Sequence, residues 1–258
     1  ERVRGTSKEN VLPLFYCPRY QRGNADVRGL EMKRLSKTGI EYGDLNWNFY
    51  PGCLHKPQGK CLVPHCWAEQ MSKRQQQDFH KPHLIPELLL APLHVKKPST
   101  ILVNFMGDLG GDWVDPYQRY GCLPDGPRLL ETVKDVIVRC PQHRFLFLSK
   151  SPENWKRWGE WPDNAWVGGS VCNQEMLKNA YMAFRDIRAK HKWLSIEPLL
   201  ESLNEYHYLP GLLETIGISW VVIGGQTRPN VMPDIDWVKE IVEACDRAGV
   251  KVWLKENL

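Results

Sequence analysis

The sequence predicts an α/β fold, a partial or complete (β/α) barrel preceded by an N-terminal extension, and three observations carry that prediction. Short apolar or aromatic runs alternate with stretches of helical period, the rhythm of repeated βα units on a mainly parallel sheet. Polar residues gather at the carboxyl ends of those runs. No internal repeat, low-complexity tract or Pro/Ser-rich linker divides the 258 residues, a length that suits one large domain. A doubly wound open sheet is the second choice.

Residues 1–38 are rich in Arg, Lys, Gly and Asn and show little periodicity, so they read as an extension on the surface of a domain spanning 39–258. Strands are expected at 45–50, 100–106, 144–149, 166–170, 193–196, 220–223 and 251–254. Helices are expected at 128–139, 174–188 and 234–248. The last has Asp234 as N-cap and Gly249 as stop, with Ile235, Val238, Ile241, Val242 and Cys245 on one face.

The composition, 42% hydrophobic and 25% charged, is that of a soluble globular protein. A formal charge of +4 permits an anionic ligand without establishing nucleic-acid binding. The longest apolar stretches, such as 88–93, fall far short of the ~20 residues a membrane span needs. The polar amino terminus does not read as a signal peptide. A cytoplasmic protein with no membrane partner is therefore expected, and disulfides are not. Of eight cysteines, Cys140, Cys172 and Cys245 read as small buried hydrophobes. Trp166, Trp193, Trp220 and Trp253 lie in strand-like runs and read as packing.

The strand ends carry Met106-Gly107-Asp108, Ser149-Lys150, Ser170-Val171-Cys172-Asn173, Ser195-Ile196-Glu197, Gly224-Gly225-Gln226-Thr227 and Lys255-Glu256. In a parallel barrel all of these open onto the face where active sites are built. The loop after the first strand then places Cys53, Cys61 and Cys66 within fourteen residues, among glycines and prolines that let it curl. From spacing alone two readings stay open. Three thiolates can hold a four-iron cluster with one iron left for another ligand, or, with His55 or His65 as fourth ligand, they can hold zinc. The shared barrel face favours the cluster, because a closed structural zinc has no need of that company.

The segments 39–48, Gly52-Cys53 and Cys66-Trp-Ala-Glu69 resemble the phage-associated three-cysteine-motif proteins, a largely uncharacterised family that looks similar to radical S-adenosylmethionine enzymes. The likeness continues through 103–109, 147–153, 166–173, 194–200 and 220–225 to Lys255, and leaves residues 1–38 outside it. The chain departs from the pattern where four residues separate Cys61 from Cys66, where Trp67 replaces a tyrosine, and where Gln226 replaces a glutamate.

The resemblance implies a barrel of the radical enzyme type, with a [4Fe–4S] cluster on Cys53, Cys61 and Cys66 and S-adenosylmethionine on the open iron. A 5′-deoxyadenosyl radical would then act on a substrate not identified by sequence, with a nucleic acid or nucleotide favoured and a flavodoxin- or ferredoxin-type reductant required. It implies that Gly107 and Asp108 take the cofactor's amino group. Ser170, Asn173 and Glu197 would take its ribose or carboxylate, Gly224 and Gly225 would lie under adenine, and Trp67 would shield the cluster or stack on the adenine edge. Lys150 and Lys255 would face the substrate as catalytic or anion-binding groups. The alternatives are a zinc-stabilised nucleic-acid-binding module without catalysis, and a cluster enzyme that cleaves the cofactor without a radical.

Overall fold

Alternation along the strands decides which side of the sheet faces what. In a computed structural model, which describes residues 33–121, 126–204 and 208–258, the expected runs become β2 (Leu45–Trp47), β3 (Thr100–Val103), β4 (Arg144–Ser149), β5 (Ala165–Ser170), β6 (His191–Ile196), β7 (Ile218–Ile223) and β10 (Lys251–Leu254). Ser36–Lys37, inside the expected extension, forms β1 and pairs antiparallel with β2. Every other neighbour in the sheet is parallel, and the order is β1-β2-β3-β4-β5-β6-β7-β10.

That order follows the chain without reversal, so the sheet is singly wound and the doubly wound alternative falls away. Closure is not found either. Among the described residues β10 pairs only with β7, and the free side of β2 is taken by β1. Loop 38–44 spans the seam instead. Glu41 accepts from Trp253 Nε1 at 3.3 Å and from the Glu256 amide at 3.3 Å, which ties the β1–β2 turn to the far edge strand.

Helices α2 (Leu129–Arg139), α3 (Gln174–Phe184), α4 (Leu209–Thr215) and α5 (Ile235–Arg247) all pack on one face of the sheet. They bury Ile101, Val103, Phe145, Phe147, Val167, Leu194, Ile196, Val221 and Ile223. The alternate residues Leu102, Leu146, Trp193 and Val222 form a separate cluster on the opposite face, joined by Tyr42, Phe105, Leu148, Trp166 and Trp220. Period two thus sorts one set of strands into two apolar layers. Trp193 and Trp220 stack at 5.0 Å, with Tyr42 edge-on to both. A Cβ at Gly168 would stand 2.4 Å from the Trp193 indole, so that neighbour has to be glycine.

Three boundaries fall three or more residues short of expectation for local reasons, while β6 and β7 begin two residues early. Strands β2 and β3 stop at Trp47 and Val103 because amide side chains replace ladder partners there. Tyr50 N donates to Asn104 Oδ1 at 2.8 Å, and Met106 N to Asn48 Oδ1 at 3.1 Å. Helix α3 ends at Phe184, short of 188, because Ile187 turns into the core and the Arg188 carbonyl accepts from Trp161 N at 2.9 Å. Helix α5 begins after Asp234, whose side chain accepts from Asp236 N, as the N-cap reading requires.

Candidate functional site

The carboxyl ends of the strands open on a cavity of about 680 Å³. Its wall includes Cys53, Cys61, Cys66, Trp67, Gly107, Asp108, Lys150, Ser170, Glu197, Gly225 and Lys255, eleven of the thirteen residues named from sequence. Parity explains why they meet. Leu146, Leu148 and Lys150 alternate along and beyond β4, as do Trp193, Ser195 and Glu197 along β6. The same side of each strand therefore runs from apolar packing into the cavity. Gly224 and Asn173 do not line it. Asn173 is the N-cap of α3, its Oδ1 accepting from Met176 N at 2.9 Å.

The cysteine loop enters beside β3. Gly52 and Gly107 form a parallel bridge, and a Cβ on Gly107 would meet the Tyr50 carbonyl at 2.6 Å. The glycine at 107 is therefore explained by the passing backbone, without any cofactor. Polar ties then fasten the loop. Lys60 Nζ bonds Asp112 Oδ2 at 2.7 Å, and Lys56 Nζ bonds Glu69 Oε2 at 3.2 Å. Glu69, at the start of α1 (Trp67–Arg74), also accepts from Lys73 at 2.9 Å. The Lys73 hydrogen bond, with help from Lys56, brings the Glu69 carboxyl down to about 2.

Asp108 is fully committed to its own chain. Its Oδ2 accepts from His55 Nε2 at 2.7 Å and from the Lys150 amide at 2.9 Å, while Oδ1 accepts from the Gly110 amide at 2.8 Å. Burial alone would raise this carboxyl. The His55 hydrogen bond and charge, with the Lys150 amide, outweigh it and hold the group below its ordinary value. Because the carboxylate can only accept, the His55 proton sits on Nε2. Asp108 is thus an anchor for the cysteine loop rather than a free acid for an ammonium. His55, 1% exposed, is the neighbour that sequence weighed only as a zinc ligand. Its Nε2 is taken by Asp108, and its buried Nδ1 has no partner among the described residues.

Glu197 is paired as well, accepting from Lys255 Nζ. A Cβ at Gly224 would crowd the Glu197 side chain at 3.1 Å, and one at Gly225 would meet the Asn257 carbonyl at 2.7 Å. Internal packing thus accounts for both glycines expected under adenine. Lys150 differs. Among the described residues its ammonium makes no hydrogen bond. Burial pulls it down, but Cys61, Cys172, Asp108 and Cys53 outweigh that and hold it above its ordinary value. Burial in turn pushes the Cys53 thiol up to about 12 and the Cys172 thiol up to about 11, with Lys150 opposing both.

Sequence reasoning missed Tyr42, Arg74 and Arg228, and named Ser195 only as a polar strand end; all four line the cavity. Arg74 had a signal, since it stands at helical spacing from Trp67. Tyr42 had none, because only the folding of loop 38–44 across the seam brings it in.

The class that fold and site define is a singly wound, mainly parallel α/β sheet with a three-cysteine loop over the carboxyl ends of its strands. Residues 37–257 match the family described as protein of unknown function (DUF5131), and the chain belongs to that family. No curated protein and no solved structure matches it. No helix among the described residues is long and apolar enough to cross a membrane.

Proposed function

We propose that the cavity houses a [4Fe–4S] cluster on Cys53, Cys61 and Cys66 with S-adenosylmethionine beside it, in an open barrel of the radical enzyme type. The supporting observation is that all three thiols line one cavity together with the strand-end polar groups. All three are free and half-buried. Among the described residues no three His, Cys, Asp or Glu side chains converge tightly enough to grip a single ion. The likeness to phage-associated three-cysteine-motif proteins supports the same assignment.

When bound, the pair of cofactors supplies a 5′-deoxyadenosyl radical from an electron donated by a flavodoxin- or ferredoxin-type protein. The chain's own residues do the rest. Lys150 sets a positive charge near Cys53 and Cys61, lowering the cost of gathering their thiolates. His55 and Asp108 hold the loop that carries Cys53. Binding of a metal displaces the Cys53 proton into solvent, so loading releases protons and strengthens as pH rises. Ser170 and Ser195 offer hydroxyls to a ligand, while Phe105 and Leu148 keep that wall dry.

Anaerobic reconstitution with iron and sulfide, then S-adenosylmethionine and dithionite, tests this. Iron should bind and 5′-deoxyadenosine should form. Cys53→Ala, Cys61→Ala or Cys66→Ala should each remove most of the iron, and Cys140→Ala and Cys245→Ala should not. Stoichiometric zinc in place of iron after anaerobic purification would sink the assignment.

A further inference from the structure

Five residues of α1 line the cavity, and four of them, Trp67, Gln70, Met71 and Arg74, stand at helical spacing. Positions i, i+3, i+4 and i+7 share one side of a helix. The helix therefore turns a single stripe inward, with an indole at one end and a guanidinium at the other. Facing it is the small hairpin β8 (Gln226–Thr227) and β9 (Asn230–Val231), whose turn carries Arg228. Arg228 Nη1 donates to Gln70 Oε1 at 2.5 Å. Arg74 lies one helical turn beyond Gln70, so two guanidiniums flank one stretch of wall.

Neither has a counter-charge. Among the described residues no ion pair involves Arg74 or Arg228. Arg74 meets only the Met71 sulfur at 3.9 Å, and Arg228 only the neutral amide. The carboxylates within reach are spent, Asp108 on His55, Glu197 on Lys255, and Glu69 on Lys56 and Lys73. Trp67 beside them is 49% exposed, unusual for the largest apolar side chain and for a residue on a cavity wall. Two guanidinium forks without an ion pair, next to an exposed indole, form a recognition set with no occupant among the described residues.

We propose that this stripe is the substrate-docking wall and that it takes a phosphate ester bearing a flat ring, a nucleotide unit. Arg74 and Arg228 hold its phosphate, and the ring lies on Trp67 beside Met71. The planar fork of arginine matches phosphate oxygens two at a time. A base stacks on an indole whatever its identity. Lys150 and Lys255 stand deeper, so the phosphate stays at the mouth while the ring or sugar points inward. This deepens the reading above and rests on it for the cavity being a substrate site, though not on the identity of the metal.

Titration of the full-length protein by calorimetry tests it, with cytidine 5′-monophosphate, cytidine, inorganic phosphate and a short single-stranded oligodeoxycytidylate as probes. A pyrimidine is used so that a site for adenine cannot account for binding. The monophosphate should bind at least about ten-fold tighter than cytidine or phosphate alone. Arg74→Gln and Arg228→Gln should each weaken it by roughly ten- to a hundred-fold. Arg74→Lys should recover part of the loss, and Arg139→Gln on α2 should change nothing. Tighter binding of the oligonucleotide, with the same dependence on Arg74 and Arg228, would identify a strand as the source of the phosphate. Binding of cytidine as tight as its phosphate, wild-type affinity in both arginine variants, or no binding of either phosphorylated probe would overturn the proposal. Iron content is measured in the same preparations. Nucleotide binding that needs both arginines in a protein that takes no iron would sink the cluster and leave the docking wall standing, and the converse pattern would do the reverse.

Discussion

Along β5 and β6 the inward side chains change from Trp166 and Trp193 at the amino-terminal half to Ser170 and Ser195, which are register partners, at the carboxyl-terminal half. The first half is an aromatic floor. Trp193, Trp220, Tyr42 and Leu102 fill the space inside the curve of the sheet, and Trp193 and Leu102 have no exposed surface at all. The second half is a cavity that brings polar, charged and thiol groups together beside Phe105 and Leu148. One backbone carries both, and the alternation is unbroken between them. The difference lies in what each half is required to do. The floor substitutes for the missing closure, because an open seam without a plug would let water reach the apolar face. The cavity is left unfilled, and its charges are either locked in pairs deep inside or left single.

If the floor is structural, it should fail as structure. Trp193→Ala should cost about 3–5 kcal/mol in urea unfolding, while iron loading of the folded fraction stays near wild type. A variant that unfolds normally but loses iron would erase the boundary drawn here. Asp108 sharpens the comparison from the other side, since it sits in the cavity yet acts as an anchor. Asp108→Asn should cost roughly 1.5–3 kcal/mol in the same measurement, because a charge-assisted bond to buried His55 is lost. Stability unchanged, with cofactor binding weakened, would return Asp108 to the role sequence first gave it.

The smallest expected effect concerns Glu69, which ties the cysteine loop to α1. Its folded-state carboxyl, at about 2, lies below the ordinary 4.5. Its contribution is therefore present above pH 4.5 and is lost as pH falls through about 2. Glu69→Gln should show a deficit of about 0.5–1 kcal/mol at pH 7 that vanishes in strong acid. A deficit that persists there would mean the side chain acts by packing, not charge.

Much of this could be read before any coordinates. The seven parallel strands were legible because each is a short apolar run, and α5 was legible because Asp234 and Gly249 bracket a clean period. Lys150, Glu197 and Lys255 were legible because strand ends in a parallel sheet share one face. Less accessible were the pairings that spend those residues. Glu197 and Lys255 are 58 positions apart, and His55 and Asp108 are 53 apart, and spacing says nothing of contacts at that range. The glycines at 107, 224 and 225 were visible as glycines, but what crowds them was not.

By itself, then, the sequence determined the α/β class, the order and parallel sense expected of the strands, and the end of the sheet where chemistry collects. These follow from period and position, which are local properties of the chain. Only the tertiary structure decided that the sheet stays open, that loop 38–44 spans the seam, that Asn173 and Asp108 are hydrogen-bonded within the chain, and that Arg74 and Arg228 line one cavity with no ion pair among the described residues. Each of these depends on which distant groups meet. A charged side chain is committed or free according to its neighbours in space, and no pattern along the chain encodes that.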